Sequence, residues 1–247
     1  MKCIVLAAGF ATRLRPLTDN FPKPLLPIGN ATILDFLFDA VADVKEIDEF
    51  VVVSNAKFVE HFRQWSRARS ERIVALDDGA VSNETRRGAV ADLLFALRER
   101  QIDDDLLVLA GDNLVDFSFQ SLVDGAREKG ASCVMRYFES DLAALRKRGV
   151  AEIDQDGRIL NMTEKPENPK AAWCVPPFYF YRREDLSLVR RALDEGCDRD
   201  APGSLVAWLC KRARVYAIVM PGRRVDVGDL ASYEAAQREW STARRRS

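Results

Sequence analysis

The stretch Leu6–Leu17 reads LAAGFATRLRPL and continues the apolar run Cys3–Leu6. Its reading decides the fold. An apolar strand that ends in Ala7, Ala8 and Gly9, then opens into a loop carrying Arg13 and Arg15, presents its carboxyl end for close approach. Little or no side chain stands at those three positions, so a ligand can lie against the backbone, and backbone N–H groups in such loops hold phosphate. Arg13 adds a planar fork that takes two phosphate oxygens, with Arg15 as a second candidate. Lys23 follows between Pro22 and Pro24, which stiffen the chain and aim the ammonium.

Outward from this stretch, short apolar runs alternate with amphipathic ones. Residues 50–55 (FVVVSN), 106–113 (LLVLAGDN), 131–138 (ASCVMRYF), 178–181 (FYFY) and 215–220 (VYAIVM) read as strands, and the unalternated early ones as strands buried on both faces. Helical patterns lie between them. In 32–43 (TILDFLFDAVAD), Thr32 is the expected N-cap, with Asp35 three residues on. The βαβα order implies an α/β fold with a mainly parallel, Rossmann-like sheet and helices on both faces, in three αβα layers. Residues 150–166 break the alternation: Asp156-Gly157 is a turn signal, and the segment reads as a small antiparallel hairpin insertion beside the site. Residues 1–240 are expected to form a single domain, with 241–247 as a basic tail that includes Arg244–Arg246.

Composition narrows the function. The 247 residues carry 37 Lys+Arg against 38 Asp+Glu, a formal net charge of −1, which gives no electrostatic footprint for nucleic acid. No apolar run reaches the ~18 residues a membrane span needs, and Met1-Lys2 leads directly into a strand, leaving no signal peptide; the expected location is cytoplasmic. Five scattered cysteines without a C-x-x-C pair read as free thiols. The single histidine, His61, lies in a helical pattern without a nucleophile motif nearby, and no G-x-S-x-G is present, so hydrolase triads and zinc chemistry are disfavoured.

What remains is phosphate chemistry. Asp112 stands directly after a buried strand, where ligands of such sheets bind, and Asp226 after another. Two separated carboxylates at strand ends hold Mg²⁺ with few protein ligands, leaving room for phosphate oxygens. After the hairpin, Glu164 offers a hydroxyl acceptor and Lys165 a phosphate-binding cation. Phosphoryl and nucleotidyl transfer need only such positioning and charge.

Residues 6–29 (LAAGFATRLRPLTDNFPKPLLPIG) resemble the signature of sugar-1-phosphate nucleotidyltransferases, most closely in motif the glucose-1-phosphate thymidylyltransferase group, and the later motifs follow in that family's order to about Gln237. The resemblance implies the nucleotide-diphospho-sugar transferase fold and an enzyme that joins a nucleoside triphosphate (dTTP or UTP) to a sugar 1-phosphate, releasing pyrophosphate. It implies that Arg13, Lys23 and Lys165 are catalytic, and that Leu6, Ala7, Ala8, Gly9, Asn83, Gly88 and Asp112 bind nucleotide. Gly149, Glu164, Lys165, Trp173 and Tyr179 are expected at the acceptor, Asp112 and Asp226 at Mg²⁺. A homo-oligomer is implied by the resemblance alone.

The chain departs from the family pattern in four places. Ala11 stands where a second glycine is common, and Asn83 about where a glutamine reads the base. Pro176-Pro177 replaces a Thr-Gly-like pair. Arg224 replaces an aromatic, and is expected either to pair with a charged acceptor or to lie at the surface. Two other functions stay open: a CTP-dependent cytidylyltransferase for a non-sugar phosphate or phosphonate such as phosphocholine, with Trp173 or Tyr179 meeting an ammonium group, and a non-catalytic nucleotide-sugar sensor.

Overall fold

A computed structural model of the chain describes residues 1–241. Apart from Ser241, the basic tail read at 241–247 lies outside the described residues. In chain order the elements are β1 (Lys2–Leu6), β2 (Pro27–Ile28), β3 (Ala31–Thr32), α1 (Ile33–Val41), β4 (Glu49–Ser54), α2 (Val59–Arg67), β5 (Ile73–Asp77) and α3 (Ala89–Glu99). There follow β6 (Leu106–Ala110), β7 (Asn113–Val115), α4 (Gln120–Lys129), β8 (Ser132–Phe138), α5 (Leu142–Leu145), β9 (Gly149–Ile153), β10 (Ile159–Glu164), β11 (Trp173–Val175) and β12 (Phe178–Tyr181). The last are α6 (Arg183–Leu186), α7 (Leu188–Asp194), α8 (Gly203–Leu209), β13 (Val215–Val219), β14 (Arg224–Asp226) and α9 (Leu230–Trp240). The alternation is that of the expected α/β class.

The chain forms two compact units. One comprises Met1–Ile4, Arg87–Leu109 and Gln120–Met220; the other comprises Val5–Arg86, Ala110–Phe119 and Pro221–Ser247, described through Ser241.

In the first unit the strand order is β10-β9-β11-β8-β12-β6, with β13 also on β8. The hairpin forms as read: β10 runs antiparallel to β9, and Gly157 takes a positive φ of 83° in the turn. Antiparallel pairing reaches beyond the hairpin, because β12 runs against both β6 and β8, while β13 is parallel to β8. The FYFY run is buried at every position, and an apolar run without alternation does not reveal strand direction. Two short helices, α6 and α7, follow β12.

In the second unit β4, buried at all six positions, pairs in parallel with β5. The end of β1 is held on both sides: Ala7 N–H donates to Val53 O at 2.8 Å, and Gly111 N–H to Leu6 O at 2.9 Å. Helix α1 begins with the expected cap. Asp35 N–H donates to Thr32 Oγ1, and Thr32 N–H donates back to Asp35 Oδ2 at 2.7 Å, so two of the helix-end donors are satisfied reciprocally. The pairings β2–β3 and β7–β14 were not legible in the sequence, and Asp226, read as following a strand, is the last residue of β14. One apolar cluster unites Leu14, Ile33, Leu114, Val227 and Trp240. Arg13, Asn113 and Asp226 each neighbour a residue of it, so one core anchors all three segments; each buried Leu or Val contributes about 1.5–3 kcal/mol.

Two local features set the phosphate loop. Ala11 is left-handed (φ 48°, ψ 43°) at the start of the turn Thr12–Leu14, and its carbonyl accepts from Leu14 N–H at 2.9 Å and from Thr18 Oγ1 at 2.9 Å. Asn55, fully buried, donates from Nδ2 to Ala8 O at 2.9 Å and accepts from Phe58 N–H at 3.1 Å. In urea unfolding, Ala11→Gly should raise stability by roughly 0.5–1 kcal/mol, because a non-glycine residue is strained at that φ. Asn55→Ala should lower it by about 1–3 kcal/mol, since Ala8 O and Phe58 N–H lose their buried partner. A lower midpoint for Ala11→Gly would contradict the left-handed turn.

Candidate active site

The second unit gathers the residues expected for a triphosphate and metal. Leu6 ends β1, Ala7 and Ala8 follow it, and a Cβ at Gly9 would meet no protein atom within 4 Å, so the backbone there is open to close approach. Arg13 is exposed and, among the described residues, has no acidic partner, whereas Arg15 is engaged with Asp19 at 3.2 Å. Lys23 Nζ donates to Asp112 Oδ2 at 2.6 Å and to Val227 O at 2.8 Å. The side chains are 12% and 32% exposed respectively. Burial works against ionisation of Asp112, but the adjacent Lys23 charge and hydrogen bond, with the Arg224 charge, hold its carboxyl below the usual range.

The β7–β14 ladder places Asp226 opposite Asn113, the neighbour of Asp112, and Val227 N–H donates to Asp112 O at 3.2 Å. Asn113, buried, donates from Nδ2 to Asp112 Oδ1 at 2.8 Å and to Ala110 O at 3.2 Å. Arg224 corrects the expectation of a surface residue. Its side chain is 8% exposed, its Nε donates to Asn113 Oδ1 at 2.5 Å, and its guanidinium pairs with Asp226 Oδ2 at 3.2 Å. Asn113 was missed in sequence, although it follows Asp112 directly. Asn83 lies in a turn where its carbonyl accepts from Arg86 at 2.8 Å.

The first unit gathers the residues expected for the acceptor. Glu164 ends β10 opposite Gly149 on β9. A Cβ at Gly149 would lie 2.6 Å from Met162 Cε and 2.9 Å from Glu164 Oε1. The missing side chain leaves room for Met162 and Glu164. Gly203, at the start of α8, is a residue the sequence reading missed: a Cβ there would overlap Glu164 Oε1. Burial raises the Glu164 carboxyl, opposed by the Lys165 charge and reinforced by Asp198. Lys165 is exposed, with its backbone in the left-handed region at φ 46° and its N–H donating to Arg148 O at 3.0 Å. Non-glycine residues held in that region persist where surrounding structure fixes them, and they cluster at ligand sites.

Three other expectations change. Tyr179 is 2% exposed and stacks on Tyr181, so its ring belongs to the core and is not offered to an ammonium group. Trp173 pairs in register with Ala151 and carries Arg136 over its ring at 4.0 Å, which gives one face to an internal cation. Gly88 takes φ 93°, and a Cβ would lie 2.6 Å from Arg199 O and 2.8 Å from Asp200 Oδ1, so the Arg199 backbone and the Asp200 side chain already require glycine there. Phe178 N–H donates to Pro176 O at 2.7 Å, a tight turn that Pro176-Pro177 supports. A cavity of about 370 Å³ lined by Val150, Glu152, Asn161 and Thr163 lies against the hairpin. Alternation along β10 puts Asn161 and Thr163 on the face opposite Met162 and Glu164, so this cavity is distinct from the Glu164 site.

No described helix is long and apolar enough to cross a membrane. Compared with known proteins, this chain is 28% identical to the bifunctional protein GlmU of Methanocaldococcus jannaschii over 92% of its own residues and 51% of that protein. It is 28% identical to UTP–glucose-1-phosphate uridylyltransferase of Synechocystis sp. over 96% of its residues and 63% of that protein. The chain thus spans about half to under two thirds of the length of these relatives. The solved structure of a UDP-glucose pyrophosphorylase complexed with UDP-glucose superposes with a TM-score of 0.81 at 19% identity, over 98% of both chains, a likeness of fold. Residues 2–242 match the model of the nucleotidyl transferase family, and with the strand-end cluster of Lys23, Asp112 and Asp226 inside that span, the chain belongs to this family.

Proposed function

We propose that this chain catalyses Mg²⁺-dependent transfer of a nucleotidyl group from UTP or dTTP to a sugar 1-phosphate, giving a nucleoside-diphosphate sugar and pyrophosphate. The observation that carries this reading is the Lys23 junction with Asp112 Oδ2 and Val227 O, in a chain matched to the family over residues 2–242. The relative named for UTP and glucose 1-phosphate supports the choice of substrates.

The donor set fits a hard divalent cation. Asp112 and Asp226 are carboxylates with partly exposed side chains (32% and 47%). Among the described residues no group of three or more His, Cys, Asp or Glu is arranged to hold a metal. An ion held here by Asp112 and Asp226 would take its other ligands from phosphate and water, the usual habit of Mg²⁺. Bound in that way it supplies charge neutralisation on the triphosphate.

An oxygen of the acceptor phosphate, already anionic at neutral pH, attacks the α-phosphorus in line. The bond from that phosphorus to the bridging oxygen breaks, and its electron pair leaves with pyrophosphate. No side chain has to take a proton. Arg13 neutralises the departing pyrophosphate. Lys23 spends two of its three N–H donors on Asp112 and Val227 O, which leaves one for phosphate. Lys165 holds the acceptor phosphate and Glu164 its hydroxyl groups. Glu164 is half-buried and its carboxylate accepts no hydrogen bond among the described residues, and sugar hydroxyls would satisfy it.

Pyrophosphate release should be measured with Mg²⁺ and each of dTTP, UTP, CTP, GTP and ATP against a panel of sugar 1-phosphates plus phosphocholine. The expected result is release with UTP or dTTP and one sugar 1-phosphate. Release only with CTP and phosphocholine would replace this reading, and silence from the folded protein would favour a sensing role. Asp112→Asn and Asp226→Asn should each lower the rate at least about a hundredfold, as loss of a preorganised charge contact does; full activity in either variant removes that residue from the metal site.

Gly203→Ala tests the acceptor half. Its methyl group would displace Glu164, so KM for the sugar phosphate should rise about tenfold or more, the scale of one lost charged hydrogen bond, while KM for the nucleotide is unchanged. A variant with both values at wild-type levels would show that Glu164 does not hold the acceptor.

A further inference from the structure

Arg224 has no part in the transfer just described, yet its placement is specific. Its guanidinium is buried beside Asp226 Oδ2 (3.2 Å) and Asn113 Oδ1 (2.5 Å). A guanidinium has donors only, so Asn113 must turn its carbonyl toward Arg224 and its amide nitrogen toward Asp112 Oδ1 and Ala110 O. Lys23 occupies the other Asp112 oxygen at 2.6 Å. The result is a continuous line, Lys23–Asp112–Asn113–Arg224–Asp226, in which two carboxylates are balanced by two cations. Each carboxylate therefore already has a positive partner, and a bare divalent cation must compete with both. A triphosphate changes the balance, because its charge offers the two cations another partner.

We propose that Arg224 is a positioning residue that guards the carboxylate pair: through Asn113 it fixes the orientation of Asp112, and by pairing with Asp226 it suppresses capture of a divalent cation until a triphosphate arrives. This rests on the reading of Asp112 and Asp226 as metal carboxylates. It assigns a reason for arginine at a position where the family resemblance has an aromatic residue, which could pack there but could not balance charge.

The test is Mn²⁺ binding to the whole protein without acceptor or turnover, read from the free-ion electron paramagnetic resonance signal. Without nucleotide, Arg224→Gln, which keeps an N–H donor and loses the charge, should bind Mn²⁺ at least about tenfold more tightly than the wild type, given the strength of a unit charge at this range. Arg224→Lys should bind like the wild type. With UTP added, the gap between Arg224→Gln and wild type should narrow. Equal or weaker Mn²⁺ binding by Arg224→Gln, with cooperative thermal unfolding retained, overturns the proposal. Should Arg224→Gln fail to fold, the wild type decides. Its Mn²⁺ affinity should be at least about tenfold higher with UTP than the sum of protein and UTP measured separately, and a merely additive result overturns the guard. Asp226→Asn separates the two layers. Unchanged Mn²⁺ binding in the presence of UTP would refute the metal assignment itself, whereas weakened binding there with no effect of Arg224→Gln refutes the guard alone.

Discussion

The ammonium of Lys23 joins three segments that are far apart in the chain: its own Pro-Lys-Pro turn, the strand end at Asp112 and the carbonyl of Val227, 204 residues away. A lysine that is 12% exposed has lost most of its hydration and depends on such partners. The apolar cluster of Leu14, Leu114 and Val227 supports the junction from below and holds the segments that carry Arg13, Asp112 and Asp226. The core therefore dictates where the charges stand, and the charges in turn make the burial of Lys23 tolerable.

Local chemistry was the legible part of the sequence. Thr32 and Asp35 meet across one helical turn, Asp156-Gly157 needs only a tight reversal, and β1 is followed by small residues whatever lies elsewhere. Each of these depends on residues a few positions apart. The pairing of β7 with β14 does not. Three-residue strands carry no period to read, and the contact of Arg224 with Asn113 spans 111 positions. Arg224 therefore read as a plain departure from a family pattern, although it lies within the charge network around Asp112 and Asp226. Gly203 was hidden for the same reason, since only the folded chain brings it against Glu164.

The glycines also separate two uses of missing bulk. At Gly9 a Cβ would meet nothing of the protein, which suits close approach of a ligand. At Gly88, Gly149 and Gly203 the space is taken by the protein itself, by the Arg199 backbone and Asp200 side chain or by Glu164 and Met162. Glycine in a family motif thus has two physical origins, and only the packing around it tells them apart. Under the proposed reading, acceptor choice is set by how Glu164 is held between two glycines, and nucleotide placement by the rigid end of β1, where Asn55 pins Ala8.

Phosphorus NMR of one reaction mixture tests the central claim most directly. With Mg²⁺, UTP or dTTP and the productive sugar 1-phosphate, the acceptor monoester resonance should give way to a pyrophosphate diester and free pyrophosphate in equal amounts, and the reaction should stop on chelation of the metal. Release of orthophosphate in place of pyrophosphate, or diester formation that persists without divalent metal, would contradict attack at the α-phosphorus beside Asp112 and Asp226.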